Sequence, residues 1–420
     1  MPNAAQSSEP DKPDVPDATT PTPGGPTNTD ATAPTTPPRA ASTYGRARLY
    51  LGMTGVGILV VLATAGLALG WPARWTPTQP VGLVQSLGVF AIFALIYTAV
   101  QAPLDLLGGY LLPKRHGRSH PDPPAFAIRW LRGAAVYGVV LTASLGVLSL
   151  GANVAGLLGV IGACLILMLT MLTLRWPLAR LVAPLKTTPS IDEPASHPPT
   201  RWIEAPDEGF TGGLLGVLRP RRSLLPTHWR TELGEDGVSL AQKRRKLAAS
   251  TNRFLTGRLG AVAFTLAGAT LSGLLVGGPA LPTPAGVIEL SLWFTLWSFL
   301  GLLVLPTFSR KAVMALDAEL RAAATHGEDA TLTRAIQAQD RLQDDEPRRP
   351  RIVETIFHPI PSTSRRAGAL TAKRRPTALG CFWDIARTAV FLSPAGGGLL
   401  GRAVHCNCGR PALWVYLPVE

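Results

Sequence analysis

The pattern of apolar and polar positions divides the chain into six long apolar segments separated by polar stretches. They cover residues 49–71, 81–100, 133–150, 154–174, 259–278 and 286–308, and charged side chains lie only near their ends. About 20 apolar residues in a helix cross the hydrocarbon core of a bilayer. Core helices of a soluble domain would instead carry charged faces at helical spacing. The pattern predicts an all-α, polytopic membrane protein with six transmembrane helices and cytoplasmic helical segments.

The placement of lysine and arginine predicts the orientation of these helices, because positively charged loops near membrane ends stay in the cytoplasm. Of the three short loops, residues 71–80 carry only Arg74, and residues 151–153 and 279–285 carry no lysine or arginine. The alternate stretches are basic, and they contain Arg39, Arg46, Arg48, Lys114, Arg115, Arg118, Arg129, Arg132 and a dense set between residues 175 and 258. Both termini are therefore expected in the cytoplasm.

The formal net charge of +13 indicates which partner the basic stretches contact. Most of the charge would lie beside the inner leaflet, so the predicted partner is the lipid bilayer with its anionic inner surface. A nucleic-acid site would interleave aromatic and basic side chains, and the basic run 243–246 has no aromatic neighbour. No nucleic-acid partner is expected. The abundance of alanine, arginine, glycine and leucine is typical of bacterial proteins, and it favours the bacterial inner (plasma) membrane as the location.

The polar stretches organise the chain into five regions. Residues 1–47 are rich in proline, threonine and alanine and poor in large apolar side chains, which predicts a disordered tail. Residues 48–176 form a four-helix transmembrane region, and residues 177–258 form a basic cytoplasmic segment. Residues 259–308 form a transmembrane hairpin, and residues 309–420 form a cytoplasmic C-terminal domain.

Helical periodicity predicts elements within the cytoplasmic regions. A basic helix is expected over residues 238–255, the sixth span is expected to continue as a helix, and a further helix is expected around residues 332–342. The apolar stretch 382–392 contains Asp384 and Arg387 and is too short to cross the membrane. We expect it to form an interfacial helix.

Three of the four cysteines lie in the C-terminal region. His405, Cys406 and Cys408 form H-C-x-C, and Cys381 could supply a fourth ligand, so these four residues are the candidate metal ligands. The alternative is a reduced, packed turn, because a structural zinc site usually spaces its cysteines by about two to four residues. A disulfide is not expected in the reducing cytoplasm.

Short motifs around the last hairpin resemble those of the M48-type membrane metalloproteases, which include heat-shock-induced bacterial membrane proteases and CAAX prenyl proteases. In that family, S-R-x-x-E-x-x-A-D follows a membrane hairpin, and the matching stretch here runs from Ser309-Arg310 to Asp317. The segment Phe357-His358-Pro359-Ile360-Pro361-Ser362, with Arg365 after it, is similar to the family segment H-P-P-x-x-x-R. The resemblance covers roughly residues 247–366 in the order of elements.

The resemblance implies a zinc-dependent peptidase, but the metal-binding residues of that family differ here. Two histidines and a glutamate hold the metal in the family, and the glutamate of H-E-x-x-H activates a water molecule. The sequence contains no H-E-x-x-H, and Val313 stands at the position of the third ligand. Only Asp317 keeps its family chemistry, which implies contact with a metal ligand rather than with the metal. On its own, Asp317 is expected to be a solvated helix residue or the partner of a nearby arginine such as Arg310 or Arg321.

These patterns favour a non-catalytic, multi-pass membrane protein with a protease-like scaffold and a regulatory or assembly role, with no catalytic residues and no cofactor. One alternative is an active membrane zinc metalloprotease with an atypical site. A second is a transporter or channel, which would normally carry charges near the membrane midplane. Small residues in the first, fourth and fifth spans favour tight packing, and they leave open a homo-oligomer or a membrane-protein partner.

The charge asymmetry leads to a prediction about topology. Reporter fusions after Gln79, Ala152 and Thr283 should report a periplasmic location, and fusions after His120, Thr200 and Glu420 a cytoplasmic one, because the lysines and arginines concentrate in alternate loops. A cytoplasmic signal after Ala152 would contradict the six-span topology.

Overall fold

The computed structural model describes residues 43–118, 120–182, 185–188, 199–205, 209–323, 328–343, 345–371 and 378–393. Most of the expected disordered tail, residues 1–47, lies outside this range. Its last residues do not, because the first helix begins at Tyr44. The side chain of Thr43 caps that helix by accepting a hydrogen bond from the backbone N–H of Arg46.

Helices dominate the structure, and they are numbered here in chain order. They are α1 (Tyr44–Ala68), α2 (Trp71–Trp75), α3 (Leu83–Leu106), α4 (Leu112–Arg115), α5 (Pro123–Val182), α6 (Trp229–Glu232), α7 (Gly234–Ser250), α8 (Arg253–Val276), α9 (Pro284–Ala322), α10 (Glu328–Gln343), α11 (Arg351–Phe357), α12 (Thr363–Thr371) and α13 (Ile385–Leu392). A π-helical turn, Leu107–Leu111, joins α3 to α4, and a 3₁₀ turn, Ala378–Cys381, precedes α13.

Five helices of the described chain are long and apolar enough to cross a membrane, namely α1, α3 with its extension to Arg115, α5, α8 and α9. The polytopic helical membrane fold is therefore confirmed. The count of five differs from the predicted six because residues 133–150 and 154–174 both belong to α5.

The helix α5 is a hairpin rather than one straight rod. Its backbone leaves the helical conformation at Ala155 and Gly156, and Gly156 adopts a positive φ of 55°. Beyond this point the chain runs back, since the backbones of Gly151 and Gly159 touch. Near the other end of the hairpin, the Arg132 side chain donates a hydrogen bond of 3.1 Å to the carbonyl oxygen of Arg180. The two apolar segments thus lie antiparallel, and the reversal falls slightly beyond the predicted turn at residues 151–153.

A small sheet lies between α5 and α6 and was not predicted. Its strands are β1 (Lys186–Thr188), β2 (Thr200–Glu204), β3 (Gly213–Leu215) and β4 (Arg222–Pro226), in the order β1-β2-β4-β3. The strands β2 and β4 pair in parallel, and the other two pairs are antiparallel. The register places Ile203 with Leu224 on one face and Trp202 with Leu225 on the other. All four side chains are buried, so both faces of the sheet pack against other parts of the protein.

The predicted basic helix over residues 238–255 is two helices in the structure. The helix α7 ends at Ser250, and α8 begins at Arg253. Between them Asn252 adopts the left-handed conformation, with φ of 56°. A non-glycine residue in this conformation ends a helix, so α7 and the apolar helix α8 run in different directions.

The predicted continuation of the sixth span is present in α9, and the further helix around residues 332–342 is present as α10. Arginines from the membrane region hold the end of α10. Arg118 donates to the carbonyl oxygens of Arg341 and Leu342, both at 2.9 Å, and Arg48 donates to that of Gln343 at 3.2 Å. The last carbonyl groups of a helix lack partners within the helix and carry partial negative charge. Cationic side chains near α1 and α4 thereby attach α10 to the membrane helices.

The stretch 382–392 is not an interfacial helix, contrary to the prediction. All eight residues of α13 are buried, and the helix packs against α5, α8 and α9. Its start lies against Gly257 and Gly260 of α8, where an added Cβ atom would collide with Trp383, Phe382 and Ile385. Because α8 carries no side chain at these positions, a short helix is inserted into the bundle although it cannot cross the membrane.

The contact at the tip of the α5 hairpin predicts an unequal response of two glycines in the same apolar segment. A methyl group on Gly159 would collide with the backbone of Gly151, whereas one on Gly162 would meet no atom within 4 Å. Gly159→Ala should lower the free energy of unfolding by about 1–3 kcal/mol through overpacking. Gly162→Ala, the control, should leave it unchanged or raise it slightly. Thermal unfolding of both variants in detergent tests this, and equal midpoints would contradict the hairpin.

Candidate functional site

The stretch from Ser309 to Asp317, which carries the resemblance, lies on the part of α9 that extends beyond its apolar segment. Ser309, Arg310 and Asp317 are all buried. The Ser309 hydroxyl accepts a hydrogen bond of 3.2 Å from the backbone N–H of Ala386 at the start of α13. Arg310 donates to the carbonyl oxygens of Glu354, at 2.7 Å, and His358, at 2.8 Å. This stretch therefore joins the sixth span to α11, to α13 and to the His-Pro segment.

Asp317 lies at the centre of a buried ion cluster that involves three helices. Arg366 of α12 binds it in bidentate fashion, with Nε 2.7 Å from Oδ2 and Nη2 2.9 Å from Oδ1. Arg244 of α7 forms an ion pair, with Nε 3.3 Å from Oδ1. Exposure of the three side chains is 2% for Asp317 and 4% for each arginine. We call these three residues the Asp317 cluster.

The charges in this cluster fix the protonation state of the carboxyl group. Burial alone would raise the pKa of Asp317, but the guanidinium groups of Arg244 and Arg366 lower it further than burial raises it. The net effect holds the pKa of Asp317 below its usual value. Asp317 is therefore an anion at neutral pH, with its oxygens already directed at two cations.

The environment of Asp317 differs from the expected one in its exposure and in the identity of its arginine partners. The carboxylate is buried rather than solvated, and its partners are Arg366 and Arg244 rather than Arg310 or Arg321. Arg310 points instead towards α11 and the His-Pro segment. The actual partners come from elements far away in sequence that pack on this face of α9, so the helical spacing around Asp317 gives no sign of them.

A second carboxylate holds the His-Pro segment in place. The side chain of Glu354, 2% exposed, accepts a hydrogen bond of 2.8 Å from the Ser362 hydroxyl, and Arg365 pairs with it at 3.0 Å. The carbonyl oxygens of Glu354 and His358 accept the hydrogen bonds from Arg310. Sequence reasoning singled out His358 and Arg365 through the motif but missed Glu354 and Arg366.

The residues around Asp317 do not suit a divalent metal. Val313, at the position of the third ligand in the resemblance, is buried and has no donor atom. On α7, which precedes the hairpin as the metal-binding helix of the family does, Arg244 faces Asp317. Its neighbour Arg245 donates to the carbonyl oxygens of Leu224 and Thr211 in the sheet region. Two cations beside the remaining carboxylate would repel a metal ion.

The described residues contain no group of three or more histidine, cysteine, aspartate or glutamate side chains that could hold a metal. Of the candidate ligands in the C-terminal region, Cys381 lies half-buried in the 3₁₀ turn before α13 and forms no disulfide with the other described cysteine, Cys164. Its carbonyl oxygen accepts a hydrogen bond from the Thr256 hydroxyl. His405, Cys406 and Cys408 lie outside the described residues, so a metal site formed by these four residues stays a prediction.

The Asp317 cluster predicts that two arginines contribute unequally to stability. Arg366→Met leaves a buried carboxylate without its bidentate partner, which should cost about 3–5 kcal/mol. Arg351→Met is the control, because that side chain is exposed and exposed charges contribute about 0–1 kcal/mol. Chemical unfolding of the purified variants measures both. A cost for Arg351→Met as large as that for Arg366→Met would contradict the central place of Asp317.

Comparison with known proteins identifies a similar fold. No protein-family model matches the sequence, and no curated protein matches it. The crystal structure of S. mikatae Ste24p superposes with a TM-score of 0.55 at 13% sequence identity, covering 69% of this chain and 76% of that one. Ste24p is a CAAX prenyl protease of the M48 family. The resemblance to M48-type membrane proteases is therefore supported at the level of the fold.

Proposed function

We propose that this protein is a non-catalytic membrane protein that uses a Ste24p-like scaffold for a regulatory or assembly role. The observation that carries the proposal is the Asp317 cluster. Asp317 is the one residue that retains its family chemistry in the resemblance. Its carboxylate is paired with Arg244 and Arg366, and it faces no histidine among the described residues.

The chemistry of the cluster supports a structural role. A zinc-dependent peptidase needs a Lewis acid with an open coordination position and a group that accepts a proton from the bound water. Guanidinium groups donate hydrogen bonds but cannot bind water as a Lewis acid or accept a proton at neutral pH. The arginines can, however, supply the positive charge that a metal site would otherwise place between these helices. The cluster can thus join α7, α9 and α12 without hydrolytic chemistry.

The predicted location of the basic segment at the inner leaflet supports a function based on binding at the membrane surface. The basic segment between residues 177 and 258 includes α7, whose exposed Lys246 adds to the positive charge facing the predicted inner leaflet. Its attachment to the transmembrane hairpin through Asp317 would couple surface contacts to the bundle. We place the protein in the bacterial inner membrane with both termini in the cytoplasm, as the charge asymmetry favours.

A cleavage assay tests the proposal. Purified protein, chelator-treated protein and the Asp317→Ala variant should show the same background rate on casein and on a membrane-protein substrate, because there is no zinc-bound water to lose. The variant is assayed below its own unfolding midpoint, and metal analysis of the wild type should give well under one zinc ion per chain.

Chelator-sensitive cleavage by the wild type would overturn the proposal and revive the atypical metalloprotease. If the zinc content were also near one per chain, Cys406→Ser and Cys408→Ser would show whether the C-terminal candidates hold the metal. Loss of zinc in these variants with unchanged cleavage would separate a structural metal from a catalytic one.

A further inference from the structure

The hairpin formed by β3 and β4 presents an exposed leucine beside three arginines. Leu218, in the turn between the strands, is 58% exposed, and Arg219, Arg221 and Arg222 are exposed as well. None of these arginines forms an ion pair with a carboxylate among the residues that the structure describes. We call residues 216–222 the basic loop.

Backbone contacts close the basic loop. The N–H of Arg221 donates a hydrogen bond of 2.6 Å to the carbonyl oxygen of Leu215. Gly216 adopts a φ of 150°, and a Cβ atom at this position would collide with the carbonyl group of Arg219. The closed loop therefore holds Leu218 outside the buried faces of the sheet.

Both faces of the hairpin pack against helices next to their apolar segments. On one face, Leu215 and Leu224 belong to the same buried cluster as Leu178, near the end of α5. On the other face, Leu214 shares a buried cluster with Phe254, near the start of α8. The hairpin is therefore attached to the ends of two transmembrane helices.

The positions of these contacts indicate the height of the hairpin relative to the bilayer. Leu178 lies four residues beyond the apolar segment 154–174, and Phe254 lies five residues before the apolar segment 259–278. At about 1.5 Å per residue, both lie roughly 6–8 Å from the hydrocarbon. The headgroup layer occupies about 5–8 Å on each side of the hydrocarbon core. The hairpin is thus attached at the level of the lipid headgroups.

We propose that the basic loop docks on anionic phospholipid headgroups of the membrane in which the protein is embedded, and that Leu218 enters the boundary between headgroups and acyl chains. The guanidinium fork matches phosphate oxygens in bidentate geometry, and basic residues beside a membrane are attracted to its anionic lipids. An apolar side chain next to basic ones is typical of segments that lie in the membrane interface.

This docking deepens the proposed function, because it names the element that contacts the membrane surface. It rests on the proposed function only for the assignment of that surface to the inner leaflet. The contact itself does not depend on whether the protein hydrolyses peptides, and the basic loop is separate from the Asp317 cluster.

Spin labelling of the full chain in nanodiscs tests the docking. p-Acetylphenylalanine replaces Leu218 and carries an oxime-linked nitroxide, so the native cysteines stay in place. The same label at Leu158, 76% exposed in an apolar segment of α5, provides the lipid reference. The label at Gln337, exposed on α10, provides the aqueous reference. Collision rates of the nitroxide with oxygen, which partitions into lipid, and with a water-soluble nickel chelate are measured for each position.

The lipid composition is the variable of the experiment. From nanodiscs of pure phosphatidylcholine to nanodiscs of phosphatidylcholine with phosphatidylglycerol, the ratio of nickel to oxygen collisions at position 218 should fall about threefold or more, because the anionic headgroups attract the arginines. The ratios at positions 158 and 337 should not change, since neither label lies beside the basic loop.

Two triple variants show which charges cause the response. Replacing the arginines of the basic loop by glutamine should abolish the change at position 218; these substitutions are Arg219→Gln, Arg221→Gln and Arg222→Gln. A control that removes the same charge from exposed arginines elsewhere should keep the change; its substitutions are Arg334→Gln, Arg348→Gln and Arg351→Gln. All six side chains are exposed, so both variants are expected to fold.

Three results would overturn the proposal. The first is a label at position 218 that stays as accessible to nickel as the label at position 337 when phosphatidylglycerol is present. The second is an unchanged response after the arginines of the basic loop are replaced. The third is shielding from both reagents in either lipid, which would indicate a protein contact such as a second copy of the chain. None of these results alters the cleavage rates that test the proposed function, so failure of one proposal is distinguishable from failure of the other.

Discussion

The ion cluster around Asp317 is the interaction on which the packing of the helices outside the apolar spans depends. A buried carboxylate is stable only if cations and hydrogen bonds replace its lost hydration, and Arg366 and Arg244 do so from α12 and α7. These helices lie on either side of the transmembrane hairpin in the sequence. One carboxylate therefore fixes how the segment before the hairpin and the segment after it meet. Apolar contacts alone would allow these helices to slide, whereas a bidentate pair specifies a single register.

Arginine side chains also attach α10 to the membrane helices. The end of α10 is held by Arg118 and Arg48, and both guanidinium groups also lie against the ring of Tyr44, with centroid distances of 4.4 and 5.2 Å. These contacts join the first span and the loop after the second span to α10. The basic residues from which the orientation in the membrane is predicted therefore also hold a polar helix in place.

The sequence predicts the spans well and the sites poorly, for a physical reason. A helix that crosses the bilayer needs a long, strongly apolar segment, so each span is visible in the sequence. The two adjacent apolar segments of α5 likewise predict its hairpin. The strands of the sheet are only three to five residues long, too short for a periodic signal. The partner of Asp317 lies 49 residues away, and such a pairing leaves no local pattern. The helix α13 was misassigned because its charged residues indicate exposure unless their buried partners are known.

The segment from Ser309 to Asp317 shows how one stretch of a helix can join several elements. A bidentate arginine and a second ion pair neutralise the buried carboxylate of Asp317, so its charge is compensated from within the protein. One helical turn or two earlier, Arg310 binds the end of α11, and Ser309 accepts a hydrogen bond from the start of α13. Each of these contacts uses a polar group that burial would otherwise leave without hydration. Loss of any one partner therefore exposes the helix to a desolvation cost, which is why the contacts specify a single arrangement of the helices around α9.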